Sequence, residues 1–150
     1  MGRVLVTRPL TEGGTDPLVE AGHEIVTPSS EPTTAELVSL AAEFDGIVCH
    51  LTDRIDAAVL ESGQGGSLQV VANAAVGYDN IDVGRAHELG ITVCNTPGVL
   101  DDTTADLAFL LILAATRLTT DAERDLREGR WHGWGFGNHL ARDVHGVTLG

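Results

Sequence analysis

The sequence predicts an α/β protein built on a parallel five-stranded sheet with helices on both of its faces. Three observations predict it. Short β-branched runs alternate with amphipathic segments in the order βαβαβαβαβ, turn residues bound each run, and 150 residues suit one hydrophobic core.

Residues 3–7 (RVLVT) read as the first strand, and 12–22 (EGGTDPLVEAG) as a turn and short helix closed by Gly22. Residues 23–27 (HEIVT) are the second strand. A helix over 33–44 (TTAELVSLAAEF) places Ala35, Leu37, Val38, Leu40, Ala41 and Phe44 on one apolar stripe. Residues 46–50 (GIVCH), 68–73 (LQVVAN) and 91–95 (ITVCN) are strands three to five, separated by helices over 54–63 and 80–90, the latter ended by Gly90. Parallel sheets bind ligands beyond the carboxyl ends of their strands. A site is therefore expected in the loops at 7–10 (TRPL), 49–53 (CHLTD), 73–80 (NAAVGYDN) and 95–102 (NTPGVLDD).

After the fifth strand the pattern changes. Asp102, Thr103 and Thr104 offer helix N-caps, and Thr103 with Asp106 has the spacing of a capping box. The helix that follows (105–117, ADLAFLLILAATR) is apolar almost all round and so expects cover from a second domain or subunit. Residues 118–129 read as its polar, exposed continuation. Residues 130–150 are Gly-rich and aromatic, and end on β-branched and apolar residues at 146–149 that read as the opening of a buried strand.

Nine Arg, no Lys and 22 acidic residues give a net charge of −13, a field that repels phosphate backbones and anionic lipid. Nucleic acid and membrane surfaces are not expected partners. Cys49 and Cys94 form no C-x-x-C, and each ends an apolar run, where a buried thiol is expected. The N-terminus has no signal-peptide pattern, and the most apolar run, 107–115, is short of the ~20 residues that span a bilayer. A cytoplasmic location is expected. The six histidines lack metal-ligand spacing, and His50 with Asp53 reads as a loop histidine beside a helix-capping carboxylate, so no metal is assigned.

The most informative stretch is 74–83 (AAVGYDNIDV). Gly77 allows close backbone approach to a ligand or a positive φ, Asp79 and Asn80 can make the turn and cap the next helix, and successive N–H groups there suit a small carboxylate. A turn that only caps a helix is the alternative reading of this segment alone.

Residues 76–117 (VGYDNIDVGRAHELGITVCNTPGVLDDTTADLAFLLILAATR), followed by GRWHGWGF at 129–136 and DVHGVTLG at 143–150, resemble the D-isomer-specific 2-hydroxyacid dehydrogenases. Within them the likeness is greatest to the glyoxylate/hydroxypyruvate reductases. The phosphoglycerate dehydrogenase branch reads differently around NTPGVL and lacks the GWG element.

The resemblance implies a flavodoxin-like substrate domain over 1–100, a crossover and dimerisation helix over 101–128, and over 129–150 a dimerisation arm and the first strand of a Rossmann domain binding NAD or NADP. The family's dinucleotide fingerprint, and its catalytic Arg, Glu and His, would lie beyond residue 150. The chain alone is therefore expected to be inactive. By resemblance, Val76 and Gly77 match backbone donors to the substrate carboxylate, and Leu51 matches a loop closing one wall of the pocket. Thr104 matches a residue near the nicotinamide. Trp134 matches a tryptophan reaching the neighbouring subunit's site, with Trp131 as its structural partner. The implied reaction passes a hydride from NAD(P)H to a short 2-oxo acid such as glyoxylate or hydroxypyruvate, in a homodimer joined through 101–134. The alternatives are a non-catalytic module that binds small carboxylates or pairs with a full-length homologue, and a stable domain with no present function.

Overall fold

In the computed structural model, which describes residues 1–149, the apolar runs form five short parallel strands. They are β1 (Arg3–Val6), β2 (Glu24–Val26), β3 (Gly46–Cys49), β4 (Val70–Asn73) and β5 (Thr92–Cys94). Their order in the sheet is β2-β1-β3-β4-β5. Between them lie α1 (Asp16–Glu20), α2 (Thr34–Ala41), α3 (Ala57–Gly65) and α4 (Val83–Glu88). The expected five-stranded parallel sheet with helices between its strands is borne out.

The β1 to β2 connection runs in one direction along the sheet and the next three run in the other. Right-handed crossovers then put α1 on one face and α2, α3 and α4 on the opposite one. The register aligns Val26, Leu5, Ile47, Val71 and Val93 in one row across all five strands. That row packs on Leu37, Ala41, Phe44, Val59, Leu60 and Ala86 to make the core. Each fully buried Leu, Ile or Val contributes about 1.5–3 kcal/mol.

The helices start and stop for local reasons. Thr33 and Glu36 form a reciprocal capping box at the start of α2, with the Glu36 carboxylate accepting from the Thr33 N–H at 2.7 Å. Asp56 caps α3 and Asp82 caps α4. Gly22 and Gly90 follow α1 and α4 with φ of +80° and +74°, as the sequence predicts.

The chain divides into two units, Met1–Gly98 and Val99–Gly150. In the second, α5 (Asp101–Thr116) begins two residues before Thr103. The expected capping box at Thr103 and Asp106 therefore does not form. Thr103 lies inside the first turn and its hydroxyl donates to the Leu100 carbonyl at 3.1 Å. Nor does the helix continue unbroken through 118–129. Leu118 takes a left-handed conformation, φ 54° and ψ 35°, and α6 (Thr119–Arg127) leaves at 67° to α5.

No residue of α5 is buried, and Leu107, Phe109, Leu110 and Leu111 are each more than half exposed. No single helix among the described residues is long and apolar enough to cross a membrane. The strand expected at 146–149 is not formed either: 145–146 is a turn and 147–149 has no regular structure. A strand exists only by pairing, and this segment pairs with no neighbour among the described residues.

Candidate functional site

The sheet order reverses between β1 and β3, the position at whose carboxyl ends a parallel sheet places its ligand site. There the first unit concentrates its buried polar groups. Asp53 is 4% exposed and accepts from the Thr7 hydroxyl at 2.6 Å, the Arg8 Nη2 at 2.6 Å and the His50 N–H at 2.7 Å. Burial pushes the Asp53 carboxyl up, but the hydrogen bonds from Thr7, His50 and Arg8 together outweigh it and hold its pKa below the ordinary value. Arg8 also reaches Glu31 at 3.0 Å, while its Nε is buried without a partner.

Asp53 is thus not the helix cap expected from sequence. Asp56 fills that role, and Asp53 closes its own loop: its N–H donates to the His50 carbonyl at 2.9 Å while its carboxylate takes the His50 N–H. Leu51 sits at the tip of this tight loop, 56% exposed.

The second loop follows β4. Its carbonyls are pinned one after another: Ala75 accepts from the Thr96 N–H at 2.9 Å, Val76 from the Asn95 side chain at 2.8 Å and Gly77 from the Asn73 side chain at 2.7 Å. Among the described residues, no hydrogen bond uses the N–H of Val76 or Gly77. Both residues are exposed, Val76 at 39%. Two fixed, unpaired donors at neighbouring positions can receive an anion.

Gly77 does not have the positive φ that its residue type allows, and a Cβ built on it meets nothing within 4 Å. Neither strain nor packing requires glycine there. Asn80 does not cap α4, which Asp82 does, but turns inward to bond the first loop.

An open groove of about 420 Å³ lies beside these tips and is lined by Thr52, Arg54, Asp56, Asp79, Asn80 and Asp82 among others. Its three carboxylates oppose an anionic ligand, and Asp56 and Asp82 are already engaged as helix caps. The pinned loop is the better candidate on charge.

Of the two thiols, Cys49 is buried and donates to the Asn73 Oδ1 at 3.3 Å. Burial, and then the Asp53 charge, pushes its pKa up to about 12. Cys94, expected to be buried, is exposed at the end of the edge strand β5. Among the described residues no three His, Cys, Asp or Glu side chains converge as metal ligands.

In the second unit, Thr104 lies in the first turn of α5, its N–H bonded to the Leu100 carbonyl at 2.9 Å. Trp134 is 79% exposed, and its ring partner is Phe136, edge to face at 4.6 Å, rather than Trp131. The residues present do not by themselves fit a nicotinamide dinucleotide. The chain has no G-x-G-x-x-G turn to receive a pyrophosphate.

Residues 4–144 match the family profile described as D-isomer specific 2-hydroxyacid dehydrogenase, catalytic domain. The chain belongs to that family. A glyoxylate reductase of Korarchaeum cryptofilum is 43% identical over 150 residues, covering 99% of this chain and 45% of its own length. One from Thermococcus kodakarensis is 40% identical over 153 residues with the same coverage.

Among solved structures, a Thermus thermophilus protein superposes with a TM-score of 0.85 at 38% identity, over 95% of this chain and 45% of that one. An NADPH-dependent glyoxylate/hydroxypyruvate reductase of Sinorhizobium meliloti, solved with NADP and malonate, gives 0.70 at 35% identity, over 86% and 39%. The chain spans under half the length of the curated relatives it matches. The comparisons lend no support to a non-catalytic module.

The expectations from sequence bring Leu51, Val76 and Gly77 to one end of the sheet. The residues that hold them are Thr7, Arg8, Asn73 and Asn95, which the sequence reading did not single out, and Asp53 and Asn80, which it read as a cap and a turn residue. The sequence signal for all of them but Asn80 is a polar residue within three positions of the carboxyl end of a predicted strand, where a parallel sheet places its site.

Proposed function

We propose that this chain is the substrate-receiving portion of an NAD(P)-dependent D-2-hydroxyacid dehydrogenase of the glyoxylate/hydroxypyruvate reductase type. In this reading residues 1–100 form the substrate domain, 101–128 the crossover helices, and 129–150 a dimerisation arm and the entry to a dinucleotide domain. The substrate is a short 2-oxo acid. Its carboxylate is received by the N–H groups of Val76 and Gly77, and Leu51 closes the apolar wall beside it.

The observation that carries the reading is the Val76–Gly77 pair, whose carbonyls are both fixed by asparagine side chains while both N–H groups are unpaired. Fixed donors of this kind need no reorganisation when the ligand arrives. The reduction itself takes a hydride from a nicotinamide cofactor, which these residues do not hold alone. Thr104 is assigned to the nicotinamide end of that cofactor's site, and Trp134 to the active site of a neighbouring subunit. The exposed apolar side of α5 and the arm at 129–136 are assigned to the interface of a homodimer.

The test is an NAD(P)H oxidation assay with glyoxylate and hydroxypyruvate, run on the chain alone and on the complete gene product. Turnover by the complete product and none by the 150-residue chain is expected. Turnover by the chain alone, or none with any short 2-oxo acid in either, overturns the proposal.

A further inference from the structure

The loop that carries Leu51 and the loop that carries Val76 and Gly77 leave different strands, β3 and β4, and nothing in the sheet's ladder reaches out to hold their tips together. One side-chain pair does. The Asn80 Nδ2 donates to two carbonyls of the first loop, His50 at 3.2 Å and Asp53 at 2.9 Å. The Asn80 Oδ1 accepts from the Asn73 Nδ2 at 2.9 Å, and that same nitrogen donates to the Gly77 carbonyl at 2.7 Å in the second loop. Asn73 is 2% exposed, and its Oδ1 accepts from the Cys49 thiol, so its amide orientation is set by the core.

Both amide protons of each asparagine are used and both oxygens accept. A fully satisfied, partly buried network of this kind has one low-energy arrangement, since rotating either amide would leave carbonyls unpaired. The main chain adds an independent brace lower down, where Ile55 and Asp82 exchange backbone bonds with Asn80 and Ile55 at 2.9 and 3.0 Å. That brace holds the loop bases, whereas the asparagine pair alone spans from His50 to Gly77.

We propose that Asn80, acting through Asn73, is a positioning residue that locks the His50–Asp53 loop and the Val76–Gly77 loop into one rigid body, so that the carboxylate donors and the Leu51 wall keep a fixed separation. The inference rests on the reading that these loops receive a 2-oxo acid. Asn80 touches no substrate in it. It sets the distance between the groups that do, and misplacement of such groups by about 1 Å is enough to cost large factors in rate or binding.

The test uses the full 150-residue chain, labelled for amide NMR, with glyoxylate as the probe. Wild type is compared with Asn80→Ala, with Asn80→Asp, and with Asp82→Ala. Asn80→Asp keeps the acceptor for Asn73 but removes both donors to the first loop, and it stands in if the alanine variant does not fold. Asp82→Ala loosens the start of α4 without removing either asparagine bond.

Without ligand, Asn80→Ala and Asn80→Asp are expected to shift the amide signals of His50–Asp53 and of Val76–Gly77 together and to speed hydrogen exchange in both loops, while Asp82→Ala leaves the Val76 and Gly77 signals in place. With glyoxylate, the Asn80 variants are expected to bind about tenfold more weakly, and Asp82→Ala within twofold of wild type. A disturbance confined to one loop in the Asn80 variants, or an equal disturbance of both loops in Asp82→Ala, overturns the coupling. If glyoxylate moves no amide in the wild type, the substrate reading fails instead, and the ligand-free spectra still decide whether the two loops are locked.

Discussion

The Thr7 hydroxyl donates to the Asp53 carboxylate at 2.6 Å, joining the end of β1 to the loop after β3 across the point where the strand order reverses. With Arg8 and the His50 N–H this makes Asp53 a buried charge held by three donors. Removing one side of a buried ion pair leaves the other uncompensated, which costs about 3 kcal/mol. Asp53→Ala is expected to lower unfolding stability by that amount in urea titrations, against a small change for Glu31→Ala, whose bond to Arg8 is exposed. A loss of under about 1 kcal/mol in Asp53→Ala would mean that the cluster does not hold the loop.

Asp53 also sets a pH dependence. Its folded pKa is depressed, so its contribution to stability is complete above the unfolded carboxylate pKa of about 3.9 and is lost as pH falls through the lower, folded value. The sign is a loss of stability on acidification, starting near pH 4 to 5. Thermal melts from pH 7 down to pH 3 are expected to fall less steeply for Asp53→Asn than for wild type. Parallel slopes would show that Asp53 titrates alike in the folded and unfolded chains.

Two glycines are expected to respond oppositely to alanine. A Cβ on Gly66 would overlap the Ala42 backbone where α3 and α2 meet, and neither backbone can give way cheaply. Gly66→Ala is expected to destabilise by about 2 kcal/mol. Gly77→Ala meets open space without a positive φ, and should leave the melting temperature unchanged or slightly raised while weakening glyoxylate binding at least about tenfold, because the methyl group occupies the approach to the donors. A Gly77→Ala chain that binds as wild type does would remove the ligand from this loop.

Leu107, Phe109, Leu110 and Leu111 of α5 are each more than half exposed, and the proposed reading assigns them to a dimer interface. Light scattering at tens of micromolar is expected to give a dimer, and Leu110→Glu with Leu111→Glu a monomer. A monodisperse wild-type monomer contradicts the assignment.

Local chemistry made most of the sheet legible. Gly22 and Gly90 end their helices with the backbone that only glycine adopts readily, and the Val/Ile runs between turns are strands in the order read. Legibility failed where the deciding partner is distant in sequence. Asp53 reads as a cap because helix-forming residues follow it, but its partners Thr7 and Arg8 lie just past the end of β1, more than 40 residues earlier. Asn80 reads as a turn residue for a similar reason, its partners being His50 and Asp53. The break at Leu118 has no sequence signal, because leucine is a good helix former and left-handed leucine is rare. The 74–83 turn was legible as a possible carboxylate loop from Gly77, Asp79 and Asn80, but Val76 was singled out only through family resemblance, since an unpaired N–H leaves no mark on residue type.

The unequal burial of the two thiols makes this protein its own reporter. Cys49 is shut in the core with its proton held tightly, whereas Cys94 is open to solvent and directly precedes Asn95, whose side chain holds the Val76 carbonyl. A maleimide dye at neutral pH will therefore label one position in the native chain without any introduced cysteine. That position is one residue from the anchor of the Val76–Gly77 loop, so on the proposed reading its fluorescence is expected to change as glyoxylate or hydroxypyruvate is titrated in, and an unchanged signal would count against a ligand at this loop.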